Sequence, residues 1–223
     1  MKVAVITPCF NNFKFTEQLF NVMLEFTPPD WLVVVDNGSK DATPSYLEAL
    51  DSGKVSVITN SENVGFGRAV NQGIERALEL GCDTLVCLNN DVRILGLDWL
   101  YEIKVALQEN PKRLVGRELI VNNGWTELID GECIPYLGGW VLGFTRQFVQ
   151  DVGVFDPRFF AYFDDVDIAK RAKDAGYALH AIPSLGLYHF GGITGRLISF
   201  EAVCRESRRK YAEKWGVEFM DKD

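Results

Sequence analysis

Several things are scarce in this sequence, and each shortage closes off a class of protein. Histidine occurs only twice in 223 residues, at His180 and His189, so just two imidazoles are available as ligands or proton carriers. The five cysteines (Cys9, Cys82, Cys87, Cys133 and Cys204) are odd in number and contain no C-x-x-C pair. That argues against a disulfide framework or a zinc site, and for reduced thiols in a cytoplasmic protein. Positive charge is short as well: 23 Lys and Arg stand against 31 Asp and Glu, a net charge of −8. No nucleic-acid partner is expected of such a chain, since that binding rests on phosphate neutralisation by Lys and Arg. No run approaches the ~20 apolar residues of a membrane span. The N-terminal MKVAVITPCF reads as one Lys and a strand rather than a secretory leader. No linker, repeat or low-complexity run appears, so a single domain is expected.

What is present centres on Thr84 to Val92, TLVCLNNDV. Its first five residues are apolar or β-branched without a polar break, the pattern of a strand buried on both faces of a parallel sheet. The strand stops in Asn89, Asn90 and Asp91. Ligands of open α/β sheets bind just past the carboxyl ends of the strands. The three polar residues therefore stand where a ligand belongs, and Asp91 is expected to help hold a divalent cation that in turn holds a nucleotide diphosphate.

The chain up to that point alternates regularly. Val3 to Thr7 reads as a strand ended by Pro8, with a turn at Phe10-Asn11-Asn12. A helix runs through Phe26, with Phe15, Leu19, Val22, Met23 and Phe26 on one face. Trp31 to Val35 is a second strand, ending in the turn Asp36-Asn37-Gly38-Ser39. Thr43-Pro44 has the form of an N-cap followed by Pro in the first helical position, opening a short helix to Leu50. Lys54 to Thr59 is a third strand, Asn60 to Gly67 a polar loop. Val70, Ile74, Ala77 and Leu78 mark a helix stopped at Gly81. Four strands alternating with three helices imply parallel pairing with right-handed crossovers, a Rossmann-like α/β half, and they bring Pro8–Asn12, Asp36–Asp41 and Asn89–Asp91 to one face.

After residue 97 the character changes. A helix is expected over Asp98 to Gln108, then short strands and Gly-rich turns from Val115 to Phe144, including Gly138-Gly139-Trp140. Another helix spans Asp164 to Ala175, a strand Tyr177 to Ile182, a loop Tyr188 to Gly192, and a last helix about Ser199 to Trp215. We expect one domain with a nucleotide-binding half, 1–97, and an irregular acceptor half, 98–223.

The acidic protein and an anionic ligand repel each other, and Mg²⁺ or Mn²⁺ with oxygen ligands resolves this. His189, in a Gly-flanked loop after a strand, suits a ligand role; a plain loop histidine is equally compatible. His180 lies inside a strand and is expected to pack locally. In Phe159 to Asp167, FFAYFDDVD, aromatics lead into three carboxylates at a helix start. Helix-dipole capping accounts for one Asp, less readily for three in four residues. A carboxylate beside aromatics and another carboxylate has a raised pKa, as a general base requires, and Asp165 is assigned that role.

These residues resemble the inverting family-2 glycosyltransferases of the GT-A fold, near the rhamnosyltransferase and galactofuranosyltransferase-like members, over nearly the whole chain. The fold this implies is α/β, a mostly parallel central sheet flanked by helices, with a smaller irregular acceptor side. VAVITPCFNN resembles the family's base-binding loop and implies Pro8 and Phe10 near the nucleobase; VVVDNGSKDAT implies that Asp36 bonds the base. NVGFGRAVNQGI resembles the donor-side loop and helix, implying Asn63, Gly65 and Arg68 on the donor. LNNDV occupies the DXD position, implying Asp91 on the metal and Asn89 near the ribose. GGWVLGFTR resembles the segment between donor sugar and acceptor, implying Gly139 and Trp140 there. FFAYFDDVDIAKRAKDAGY resembles the paired-acid motif, implying Asp165 as catalytic base and Asp164 on the acceptor. YHFGG implies His189 as a metal ligand. Asn89 replaces the first acid of DXD, and Asp164 stands where Glu is usual.

The implied reaction is a single displacement with inversion, from a nucleoside-diphosphate sugar, UDP- or dTDP-linked, to a hydroxyl of a glycan or lipid-linked acceptor. The cation, Mn²⁺ or Mg²⁺ on Asp91 and His189, is implied to stabilise the leaving diphosphate. Three features have plainer readings. Gly65-x-Gly67 is no dinucleotide fingerprint, because it follows the third strand and Val70 stands at the third Gly position. Trp140 suits a sugar stack or the core. Arg205, Arg208, Arg209, Lys210 and Lys214 on the last helix form a solvated face, the commoner case, or a peripheral contact with anionic lipid. Two other classes remain: a sugar nucleotidyltransferase, which should show a Gly-rich basic loop where TPCFNN stands, and a non-catalytic saccharide- or nucleotide-binding module.

Overall fold

The computed structural model describes residues 1–50, 53–121, 123–192 and 200–220. In chain order the elements are β1 (Val3–Cys9), α1 (Phe13–Phe26), β2 (Trp31–Asp36), α2 (Thr43–Ala49), β3 (Val55–Thr59), α3 (Phe66–Glu79) and β4 (Thr84–Leu88). They continue with β5 (Val92–Ile94), α4 (Trp99–Glu109), β6 (Arg113–Gly116), β7 (Leu119–Ile120), β8 (Tyr136–Leu137) and β9 (Val141–Thr145). Last come α5 (Arg146–Asp151), α6 (Asp164–Asp174), β10 (Ala178–Ala181), β11 (Leu187–His189) and α7 (Phe200–Trp215).

The main sheet has seven strands in the order β10-β6-β9-β4-β1-β2-β3. β1 pairs in parallel with both β2 and β4, and β2 with β3, as the alternation of strands and helices predicts. Every residue of β4 is buried. It lies between β1 and β9, with apolar layers on both faces of the sheet, which is why its sequence lacks any polar alternation. The later part of the chain extends the same sheet. β9 is antiparallel to both β4 and β6, and β10 pairs in parallel with β6.

Several local expectations are corrected. Pro8 lies inside β1; the ladder to β4 ends at Ile6↔Cys87, so its missing N–H breaks no bond on that side. The buried face of α1 is Thr16, Leu19, Phe20 and Met23, whereas Phe26 is 55% exposed. Both sets have helical spacing; Thr16 is drawn inward because its hydroxyl accepts a bond from Asn90 Nδ2 at 3.0 Å. Thr43 is not a cap. It is the first residue of α2, its hydroxyl is buried without a partner, and Asp41 Oδ1 receives the Thr43 N–H at 3.0 Å instead. Ser199, the expected start of the last helix, lies outside the described residues.

Beyond the main sheet, β5 and β11 form a two-stranded antiparallel ribbon with His189 opposite Val92. β7 and β8 form another. The first ribbon positions the site.

Candidate active site

The carboxyl ends of β1, β2 and β4 converge as their topology requires. Pro8, Phe10, Asn37, Asn89, Asn90 and Asp91 share a cavity of about 300 Å³ with Asn63, Gly139, Trp140, Asp164, Asp165 and His189. Ten of the thirteen residues given a site role in the sequence therefore meet in one place, with Asn37 and Asn90 beside them.

Asp91 is 4% exposed. The β5–β11 ribbon carries His189 to it across 98 positions of sequence, with Nε2 at 3.0 Å from Asp91 Oδ1. Phe190 N–H donates to the Asp91 carbonyl at 3.1 Å, fixing the register of that approach. The same ring nitrogen lies 3.4 Å from Asn89 Nδ2. Protonated, Nε2 satisfies Asp91 and opposes the Asn89 amide; bare, it accepts from Asn89 and opposes the carboxylate. The other side-chain atom of Asn89, Oδ1, is buried without a partner. A carboxylate oxygen and an imidazole nitrogen 3.0 Å apart are donors of the kind that suit Mn²⁺ or Mg²⁺, and the orphaned Asn89 oxygen marks an unfilled polar position in the same region. Among the described residues no three His, Cys, Asp or Glu side chains converge to hold an ion. An ion on Asp91 and His189 would need further ligands from elsewhere.

The other carboxylates come from α6. Tyr162 and Phe163 precede it in the left-handed region, with φ of 63° and 62°. Such geometry is uncommon for bulky residues and needs support from its surroundings. Phe66 N–H donates to Phe160 O at 2.7 Å, and Ser207 Oγ donates to Ala161 O at 2.7 Å. The Phe163 ring packs against Tyr211 and Phe219. The chain so held delivers Asp164 and Asp165 to the cavity. Asp165 accepts from Gly139 N–H at 3.1 Å and from Val166 N–H at 2.9 Å. Both acids are pushed above the ordinary carboxylate range. Burial is the main cause for each; the Asp165 charge drives Asp164 further up, while the Gly139 and Val166 amides pull Asp165 back down. The two acids are adjacent and both raised, Asp164 by burial and by the Asp165 charge, Asp165 by burial against two amide donors, the kind of paired environment from which acid and base roles are drawn.

Asp167 is different. It is fully buried and bonded to Arg171 Nε at 2.8 Å, Lys214 Nζ at 2.6 Å and Trp215 Nε1 at 3.0 Å. This third acid ties α6 to α7.

Three expected donor residues do not line the cavity. Asp36 is buried with Oδ1 accepting from Ser39 N–H at 3.0 Å; its neighbour Asn37 is the one that lines the cavity. Gly65, at φ 94°, packs against Phe160, whose carbonyl would stand 2.8 Å from any Cβ, so it serves the approach of the two segments. Arg68 donates through Nε to Pro157 O at 3.2 Å and borders a separate groove. His180 stays in β10, its pKa lowered by burial and by Arg113.

The basic residues of α7 mostly bond within the chain. Besides Lys214, Lys210 reaches Arg158 O and Glu206, Arg208 reaches Trp125 O and Met220 O, and Arg209 pairs with Glu213. Among the described residues no helix is long and apolar enough to cross a membrane. The sequence reading missed Asn37, Phe66, Glu118, Phe160 and Tyr162, all of which line the cavity. Asn37 had a signal in the turn after β2; Glu118 had none.

The sequence model of glycosyl transferase family 2 matches residues 4–126. The N-acetylglucosaminyl-diphospho-decaprenol L-rhamnosyltransferase of Mycobacterium tuberculosis is 25% identical over 80% of this chain and 72% of its own length. The dTDP-rhamnosyl transferase RfbF of Shigella flexneri is 22% identical over 71% of this chain and 59% of its own. Among solved structures, the mannosyltransferase PcManGT from Pyrobaculum calidifontis, in complex with GDP-Man and Mn²⁺, superposes with a TM-score of 0.65 at 21% identity, covering 82% of this chain and 55% of that one. The family model spans more than half of the chain, and the fold is that of the GT-A neighbours: the chain is a transferase enzyme belonging to glycosyl transferase family 2.

Proposed function

We propose that the protein moves a sugar from a nucleoside-diphosphate sugar, UDP- or dTDP-linked, to a hydroxyl of a glycan or lipid-linked acceptor, with inversion at the anomeric carbon. One observation carries this reading: Asp165, held by the Gly139 N–H, and the Asp91–His189 pair face one cavity. The names of the relatives favour it, with a dTDP-linked donor for one and a lipid diphosphate acceptor for the other.

In this reading residues 1–97 form the donor side and 98–223 the acceptor side. Pro8, Phe10 and Asn63 contact the nucleoside, and Asn89 lies near the ribose. Asp36, at the end of the strand that carries Asn37 into the cavity, bonds the base. Asp165 takes the proton of the acceptor hydroxyl as that oxygen bonds to the anomeric carbon; the bond to the diphosphate breaks, and the electron pair leaves with the diphosphate. Gly139 N–H holds the carboxylate in its ionised form for that transfer. Asp164, kept protonated, donates a hydrogen bond to the acceptor. Asp91 and His189 hold Mn²⁺ or Mg²⁺, which supplies Lewis-acid neutralisation of diphosphate charge when bound.

The test is a thermal-shift screen against UDP, dTDP, GDP and CDP, each with Mn²⁺, Mg²⁺ or EDTA. A ligand that binds only the native state raises its stability by mass action. A rise with UDP or dTDP that EDTA abolishes is expected. No rise with any nucleotide, or one indifferent to EDTA, overturns the cation-bridged donor site.

A further inference from the structure

We infer that Glu118 is a positioning residue for the cation pair, acting through Trp140; the inference rests on Asp91 and His189 holding the ion. Trp140 touches the site in three ways. Its ring stacks on His189, with centroids 5.0 Å apart and planes 14° from parallel. Its carbonyl accepts the Asn89 N–H at 2.9 Å. The residue before it, Gly139, donates to Asp165 Oδ2 at 3.1 Å. One short segment therefore spans the cation pair and the base.

A flat stack fixes the distance between two rings but not their rotation or slide within the shared plane. Something must anchor the indole for the stack to aim His189 Nε2 at Asp91. That anchor is Glu118, whose Oε1 accepts the Trp140 Nε1–H at 3.0 Å. Indole has a single donor, and Trp140 is 8% exposed, so without Glu118 the N–H loses its partner in a nearly closed setting. The bond is built into the backbone as well. A Cβ on Gly138 would sit 3.2 Å from both Glu118 Oε1 and Trp140 Nε1, and glycine leaves that space open. The Glu118 side chain is 44% exposed, so its replacement removes the anchor without emptying the core.

Outer partners that orient a metal-ligating histidine change metal affinity by about 10–100-fold. The experiment measures Mn²⁺ binding directly, by the electron paramagnetic resonance signal of free Mn²⁺, in protein without donor or acceptor. Glu118→Ala and Trp140→Phe should each weaken binding by about tenfold. Glu118→Gln, which keeps a carbonyl acceptor, should remain within about threefold of wild type. The double variant Glu118→Ala/Trp140→Phe should be no weaker than either single one, because both remove one bond. Wild-type affinity in both single variants overturns the inference, and so do losses that multiply in the double variant. Should Glu118→Ala fail to fold, Trp140→Phe against Glu118→Gln decides the same question. A wild-type protein that binds no Mn²⁺ removes the cation pair itself and this inference with it.

Discussion

Asp91 and Asp164 line the same cavity from different elements, and each is 4% exposed. Asp91 has an imidazole 3.0 Å away; Asp164 has the charge of Asp165 beside it. In the proposed function, the carboxylate next to an imidazole shares a cation. The one next to another carboxylate is pushed up by burial and by that neighbour's charge, towards keeping its proton. Asp167 completes the series, fully buried between Arg171 and Lys214. Burial alone does not set what an acid does in this protein; the group it faces does.

The largest test of that contrast is Asp165→Asn. Loss of a general base lowers kcat by roughly 10²–10⁴-fold, while the nucleotide-induced thermal shift should be unchanged, since the Asp91 side is untouched. Near-wild-type transfer by this variant would erase the distinction between the two walls. His189→Ala is the mirror experiment. Nucleotide at 100 times its Kd adds about 2.7 kcal/mol of stability, or several degrees in a domain of this size. The variant should lose the part of that shift which EDTA abolishes.

A subtler separation uses pH. Asp165 must be ionised to accept a proton, and its pKa is raised by burial, so kcat should fall with decreasing pH along a limb above the ordinary carboxylate value of about 3.9. Asp164→Asn should keep a limb above the ordinary carboxylate value, because burial is the first cause of the Asp165 shift. Stability should respond instead. The folded-state pKa of Asp164 lies above its unfolded value, so its contribution is fully present below about pH 3.9 and is lost as pH rises through the raised value. Asn cannot ionise, so the Asp164→Asn protein should gain Tm over wild type in mildly alkaline buffer, by about 2–4 °C per kcal/mol relieved, and this gain should shrink towards pH 4. A gain that is the same at both pH values would mean that no Asp164 charge is being relieved.

The sequence reveals what is local and hides what is paired at a distance. TLVCL is readable as a doubly covered strand because burial on both faces removes all polar alternation. The parallel half follows from helix and strand periods. β5 and β11 are three residues each, too short to show a period, so the ribbon that joins His189 to Asp91 leaves no trace in either segment. Nor does sequence show that β9 enters the sheet antiparallel between β4 and β6. Trp140 fits neither simple expectation, since it is nearly closed off and yet faces the cavity with its ring against His189. The three acids in the first turn of α6 look alike in order. Arg171, one turn on, and Lys214 and Trp215 of α7, more than 40 residues away, separate Asp167 from the other two.

The smallest expected effect on turnover comes from that separation. Lys214 Nζ lies 2.6 Å from Asp167 and 2.7 Å from Asp156, with its side chain 17% exposed. Lys214→Met keeps the stem and removes the charge. Removing one partner of a buried ion pair costs about 3–5 kcal/mol when the other charge is left alone. Asp167 retains Arg171 and Trp215, and Asp156 retains Arg158, so about 1–3 kcal/mol is expected, the scale of a lost hydrogen bond in a partly compensated site. Unfolding should move to lower temperature by several degrees, whereas kcat measured well below that transition should match wild type, because Asp165 keeps its own supports at Gly139 and Val166. A kcat loss comparable to that of Asp165→Asn in a protein that remains folded would show that Asp167 belongs to the reacting acids, and that the division between chemical and structural carboxylates along α6 is drawn in the wrong place.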